Sequence, residues 1–165
     1  MQQEIEDLAQ QLGQVLLAKG WRVATAESCT GGWVAEAITS VAGSSAWFGY
    51  GYVSYANEAK QQMLGVKAET LAQKGAVSEA VVTEMADGAR RNAGAEFSVA
   101  ISGIAGPEGG SPEKPVGTVW FAWSQDGQPT EAQLGHFSGD RFSIRQQAVV
   151  TALSGLLRLI GQSAG

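Results

Sequence analysis

The sequence predicts an α/β protein, a three-layer α/β/α sandwich built on a mixed, mostly parallel sheet of about five strands. Short β-branched or aromatic runs alternate with segments whose apolar residues recur at helical spacing. Glycine, at 22 residues, is roughly twice as frequent as usual, and most glycines fall where one run gives way to the next. The length of 165 residues, with 44% hydrophobic and 16% charged side chains, suits one core-forming domain over residues 1–165.

Residues 3–19 place Ile5, Leu8, Leu12, Val15 and Leu16 at helical spacing, and Gly20 stands where a left-handed cap closes a helix. Trp21–Thr25 reads as a short strand, Glu27–Thr30 as a tight turn, and Gly31–Val41 as a second helix with Trp33, Val34, Ala37, Ile38 and Val41 inward. Ala46–Tyr55 is aromatic and β-branched with interspersed glycines, a strand that admits a close neighbour. Asn57 is expected to cap a short helix through Leu64, closed by Gly65, and Ser78 a helix over Glu79–Asn92 that buries Val82, Met85 and Ala89. Strands follow at Phe97–Ser102, Val116–Trp123 and Glu131–Phe137, and the turn Gln125–Gln128 makes the last two a hairpin, so one strand runs antiparallel. Asp140 caps a final helix in which Ile144, Val149, Leu153, Leu156 and Leu157 face the core.

Composition removes several classes of function. A lone cysteine, Cys29, leaves no internal disulfide, and with a single histidine there is no Cys/His cluster of the structural-zinc kind; neither metal nor other cofactor is expected. A net charge of −5 argues against nucleic acid as the partner, while leaving room for a local pocket that takes a small anion. The N-terminus is acidic and polar, and no apolar run approaches the ~20 residues of a membrane span, so a cytoplasmic location without membrane partner is expected.

Chemistry concentrates at three places. Ser28, Thr30, Gly31 and Gly32 follow the first strand at a helix amino end, where ligands of open α/β sheets gather and free N–H groups favour anions. Ser28 or Thr30 is then either part of such a site or only a helix cap. A hydrolytic serine needs a base, and the only histidine, His136, lies late in a strand beside Gly135. The glycine-flanked elbow of α/β hydrolases is also absent, since Ala26 and Thr30 stand two residues either side of Ser28. A desolvated lysine is the alternative base, with a tyrosine to relay or orient the proton. Tyr55-Ala56-Asn57-Glu58-Ala59-Lys60 supplies both types; the competing reading makes Lys60 a solvated helix residue and Tyr55 a strand-end aromatic. Cys29 is a rival nucleophile, because helix amino ends lower thiol pKa values, but adjacent turn residues point differently and at most one faces a ligand.

The second place is the glycine-rich segment 101–112, with Gly103 and Gly106. It lacks the Gly-Lys-Ser/Thr ending of a P-loop and reads as a ligand-lining or plain surface loop. The third is the pair Arg141 and Arg145, spaced to share one helix face. Such a pair grips a phosphate or is simply solvated, although a helix amino end is a poor place for cations without an anion.

Taken together, Thr25–Gly32, the aromatic-glycine strand into Tyr55–Lys60, Gly75–Ser78, Ser102–Pro107, Lys114–Val119 and Gly139–Arg141 resemble the CinA C-terminal family, the nicotinamide-nucleotide amidohydrolases. They run in order over nearly the whole chain. The resemblance implies hydrolysis of the carboxamide of nicotinamide mononucleotide to nicotinate mononucleotide and ammonia, within pyridine nucleotide recycling. It implies a serine nucleophile with lysine and tyrosine partners, which fall on Ser28, Lys60 and Tyr55. Tyr55 would either orient Lys60 or protonate the leaving amine. Backbone N–H groups around Thr30 and Gly31 would hold the oxyanion, with Gly32 beside them; Arg141, Arg145 or the loop carrying Gly103 and Gly106 would hold the phosphate. A homo-oligomer is also implied; Trp47, Phe48, Tyr50 and Tyr52 are either apolar surface for it or, equally well, core packing. Many members carry a further N-terminal domain resembling molybdopterin-binding proteins; this chain begins at the amidohydrolase domain, so functions tied to that extra domain are not expected. The rival readings are a non-catalytic nucleotide- or partner-binding module on the same fold, and an amidohydrolase for another small amide.

Overall fold

The computed structural model describes residues 1–163, and its elements follow the expected alternation of strand and helix. Helix α1 (Gln2–Lys19) ends at Gly20 in the left-handed region, whose N–H returns to the last-turn carbonyls of Leu16 and Leu17. Strand β1 (Val23–Glu27) and helix α2 (Trp33–Thr39) follow, then β2 (Phe48–Val53) and three helices, α3 (Asn57–Leu64), α4 (Ala68–Lys74) and α5 (Glu79–Ala93). The chain continues through β3 (Phe97–Gly103), β4 (Thr118–Gln125) and β5 (Glu131–His136) to the long α6 (Arg141–Ser163).

The strands form one sheet in the order β2-β1-β3-β4-β5. β1 pairs in parallel with both β2 and β3, whereas β4 is antiparallel to both β3 and β5, so β4 alone runs against the other strands. Side-chain alternation along these strands feeds two separate cores. On one face Val23, Phe97, Val99, Ile101, Phe121 and Trp123 pack with α1, α2 and α6. On the other, Ala24, Ala26, Ala100 and Ala122 keep the sheet surface low, so α5 can lie close, with α3 and α4 beside it. The arrangement is the expected three-layer sandwich. It leaves the carboxyl ends of β1, β2 and β3 on one rim, because these strands are parallel.

Several local readings are corrected. β1 ends at Glu27, which the sequence had placed in the turn, and all five of its residues are buried. α2 starts two residues later than expected because Gly31 and Gly32 take φ values of 60° and 101°, a conformation other residues adopt only with strain. Asn57 is the first residue of α3 and not its cap; Ala56 holds that position without a side-chain bond. Ser78 and Asp140 do cap, accepting from the N–H groups of Val81 at 3.2 Å and Ser143 at 2.8 Å. α4 was not anticipated: only Leu71 of its seven residues is buried, so it has no apolar stripe to read. Trp47 lies outside β2 and is 2% exposed, packed against Gly13 of α1, which removes it from the apolar surface proposed for assembly.

Candidate active site

The site lies on the rim where β1, β2 and β3 end. Once β1 has delivered Glu27, the chain turns through Ser28 to Gly32 before α2 can begin. The Ser28 N–H donates to the Ile101 carbonyl of β3 at 3.0 Å, which pins the turn to the neighbouring strand. The Gly31 N–H donates back to the Ser28 carbonyl, also at 3.0 Å. That bond uses the Gly31 donor that the sequence reading had offered to an oxyanion. Among the described residues, the N–H groups of Cys29 and Thr30 reach no backbone oxygen and no side chain of another residue; that of Cys29 has its own thiol as a neighbour.

Neither Ser28 nor Thr30 caps α2. The cap position belongs to Gly32, and the work of a cap is done by the buried Glu27 carboxylate, which accepts from the N–H groups of Val34 at 2.9 Å and Ala35 at 3.0 Å. The Thr30 hydroxyl donates to the same carboxylate at 2.6 Å. Ser28 is thereby left free of structural duty, with its hydroxyl on the cleft.

Lys60, on the first turn of α3, is 1% exposed. Its Nζ lies 3.0 Å from Ser28 Oγ and 3.0 Å from each of the Ser54 and Tyr55 carbonyl oxygens. Ion pairs among the described residues are Arg90–Asp126 and Arg158–Glu131, so Lys60 has no carboxylate partner. Burial pushes its pKa below the usual 10.5. These three oxygens match the three N–H groups of the ammonium; after loss of a proton, two N–H groups remain for the two carbonyls and the lone pair faces the Ser28 hydroxyl. For Cys29 the shift goes the other way. Burial, reinforced by the Glu27 charge, pushes its thiol up to about 12, so this candidate stays a protonated thiol at neutral pH.

The other expected site residues divide. The Tyr55 phenol does not reach Lys60; its Oη accepts from Arg141 Nη2 at 3.3 Å, and only its main-chain carbonyl holds the amine. Arg141 also donates to the Gly106 carbonyl at 2.7 Å, joining the glycine-rich loop to the mouth of the cleft, and Gly103 lines the wall. Arg145 does not join it. Its guanidinium donates to the carbonyls of Cys29 at 3.0 Å and Thr30 at 3.2 Å and lies 5.5 Å over the Trp33 ring, so it braces the turn instead of facing the cleft. His136 is exposed on β5, with two strands between it and β1.

The cleft measures about 200 Å³ and is lined by Ser28, Cys29, Tyr55, Asn57, Lys60, Ser102, Gly103 and Arg141, with Ala76, Val77 and Ala105. Glu27, Ser54, Asn57 and Ser102 were missed as contributors. Ser54 acts through its carbonyl, which sequence patterns do not reveal, and the Ser102 hydroxyl is spent on the Ala76 carbonyl at 2.9 Å. Glu27 did leave a signal: a carboxylate closing the buried run Val23–Ala26, just ahead of a helix whose cap is glycine. Among the described residues no helix is long and apolar enough to cross a membrane.

Known proteins share this arrangement of elements and sequence. The model of the CinA C-terminal domain family matches residues 5–160. The chain is 60% identical to nicotinamide-nucleotide amidohydrolase PncC of Escherichia coli K12, over 93% of each chain. It is 54% identical to PncC of Pseudomonas putida, over 94% of this chain and 96% of that one. The solved structure of the competence/damage inducible protein CihA from Agrobacterium tumefaciens matches with a TM-score of 0.93 at 45% identity, covering 94% of this chain and 95% of that one. The matched span takes in every strand of the sheet and every wall of the cleft, and the chain belongs to the CinA C-terminal domain family.

Proposed function

We propose that the protein is a nicotinamide-nucleotide amidohydrolase that converts nicotinamide mononucleotide to nicotinate mononucleotide and ammonia, with Ser28 as nucleophile and Lys60 as its base. The relatives named PncC support the reaction class. The observation that carries the mechanism is the buried Lys60 amine, 3.0 Å from Ser28 Oγ and without a carboxylate partner among the described residues. Neutral Lys60 takes the hydroxyl proton as Ser28 Oγ attacks the carboxamide carbon. The developing oxyanion is met by the N–H groups of Cys29 and Thr30, which donate to no other residue among those described, in place of Gly31. The tetrahedral intermediate collapses, the C–N bond breaks, and the Lys60 ammonium returns its proton to the departing amine, which leaves as ammonia. Water then attacks the ester on Ser28, again with Lys60 as base, releasing the carboxylate product and restoring the hydroxyl.

Tyr55 acts as an orienter, through its carbonyl to Lys60 and through its phenol to Arg141. At about 200 Å³ the cleft falls below the ~300–1,000 Å³ of typical ligand pockets, enough for the pyridine carboxamide but not for the whole nucleotide. The ribose phosphate therefore lies outward, toward Arg141, and Arg145 has no part in holding it. The product places the enzyme in pyridine nucleotide recycling. Assembly as a homo-oligomer would draw on the edge strand β2, where Tyr50 and Val53 are exposed.

Ammonia release from nicotinamide mononucleotide by the purified protein tests the reaction itself. In the same assay Arg141→Ala is expected to raise KM at least tenfold with a much smaller change in kcat, the loss of a phosphate contact worth about 1.5–3 kcal/mol. An unchanged KM would remove Arg141 from the phosphate site. No ammonia from this nucleotide, but release from another small amide, would keep the machinery and discard the substrate.

A further inference from the structure

The mechanism above gives Glu27 no chemical step, yet Glu27 is the buried acidic residue next to the nucleophile. It is 0% exposed, and no lysine or arginine pairs with it among the described residues. A carboxylate removed from water without a cation is costly unless several donors replace the lost hydration. Here three do, and all are donors: the Thr30 hydroxyl at 2.6 Å, the Val34 N–H at 2.9 Å and the Ala35 N–H at 3.0 Å. The last two belong to the first turn of α2, where an anion is also favoured by the helix dipole.

Two consequences meet at Ser28. One side chain ties the end of β1 to the start of α2 across the turn that carries the nucleophile. The turn is braced from its other side by Arg145 on the carbonyls of Cys29 and Thr30, so it is held at both margins. Strand alternation puts the Glu27 carboxylate on the α2 face of the sheet and the Ser28 hydroxyl on the α3 face with Lys60, so the carboxylate is spent on α2 and does not pair with that lysine among the described residues.

Building on the reading of the site as a Ser28–Lys60 amidohydrolase, we infer that Glu27 is a positioning residue: its carboxylate, sequestered on Thr30, Val34 and Ala35, locks the turn that carries the nucleophile. The Gln side chain has the same shape, but its NH2 group would face a donor in place of an acceptor. Glu27→Gln is therefore expected to lower kcat about 10²-fold, the scale of a misplaced reacting group, with KM changed less than twofold. Its pH–rate profile should keep the acid limb of the wild type, because Glu27 does not touch Lys60. Thr30→Val, which removes one donor and keeps the charge, should lower kcat only several-fold.

One measurement reads the lock without relying on activity. In Glu27→Gln the amide protons of Val34 and Ala35, which donate to the carboxylate in the wild type, should exchange faster with solvent. Wild-type kcat in Glu27→Gln, or unaltered amide exchange in a folded variant, overturns the inference. A displaced acid limb overturns it too, by making Glu27 a direct partner of Lys60. A wild-type protein inactive on nicotinamide mononucleotide sinks the functional reading instead, and amide exchange then decides the lock alone.

Discussion

Lys60→Met is expected to reduce kcat for ammonia release by about 10³-fold or more, with a folded protein that melts close to the wild type. The activity loss follows from geometry: Lys60 is the only titratable side chain hydrogen-bonded to Ser28 among the described residues, and removing a general base of this kind typically costs 10²–10⁴-fold. The stability forecast follows from opposing terms. Met fills a similar volume and ends the burial of an amine that lacks a counter-ion. Against this, the carbonyls of Ser54 and Tyr55 lose a donor, a cost of ~1–3 kcal/mol for each that water in the open cleft can offset. Activity assays paired with thermal melts check both halves. A Lys60→Met protein that retains more than a tenth of wild-type kcat would remove Lys60 from the reaction.

The second large effect is in pH, and its sign can be worked through from Lys60. Burial depresses the folded-state pKa below the unfolded value of 10.5. Below the folded pKa, folded and unfolded chains both carry the proton, and the folded state bears the full cost of a buried ammonium. As pH rises from the folded pKa toward 10.5, the folded chain has released its proton while the unfolded chain has not. Wild-type stability therefore increases with pH in that window, by at most ~1.4 kcal/mol per pH unit, relative to Lys60→Met. The rate should rise through the same depressed pKa, since only the neutral amine can take the Ser28 proton. Cys29 contributes no limb near neutrality, because its thiol is held at about 12. Denaturant melts of both proteins across pH, set beside the wild-type pH–rate profile, test the coincidence. A stability difference that is flat with pH would show Lys60 to be charged in both states.

The parts of this account that were legible from the sequence are those that depend on residue type and period. Alternating strand and helix patterns carried the three-layer architecture, and the hairpin turn at Gln125–Gln128 marked β4 and β5 as an antiparallel pair. Ser28, Lys60 and Arg141 line one cleft, but as residue types each stood beside a plainer reading as helix cap or solvated side chain, and the family resemblance singled out Ser28 and Lys60. What stayed hidden depends on direction and on main-chain atoms. No pattern says that Arg141 faces the cleft while Arg145, one turn later, braces the carbonyls of Cys29 and Thr30. Nor does one say that Gly31 spends its N–H on Ser28, or that the carbonyls of Ser54 and Tyr55 converge on one amine. α4 escaped because a two-turn helix with one buried side chain has no period to detect. Glu27 was visible but misplaced: a carboxylate in a turn is ordinary, whereas one at the buried end of β1 must have been given donors.

The central claim is that the reaction passes through an ester on Ser28. Rapid acid quench of the protein during turnover of nicotinamide mononucleotide, followed by mass spectrometry of its peptides, addresses this directly. The account predicts the nicotinate mononucleotide acyl group on Ser28, in the peptide containing Thr25–Gly32, and its absence in Ser28→Ala. An acyl group on Cys29 instead, or undiminished ammonia release by Ser28→Ala, would contradict it.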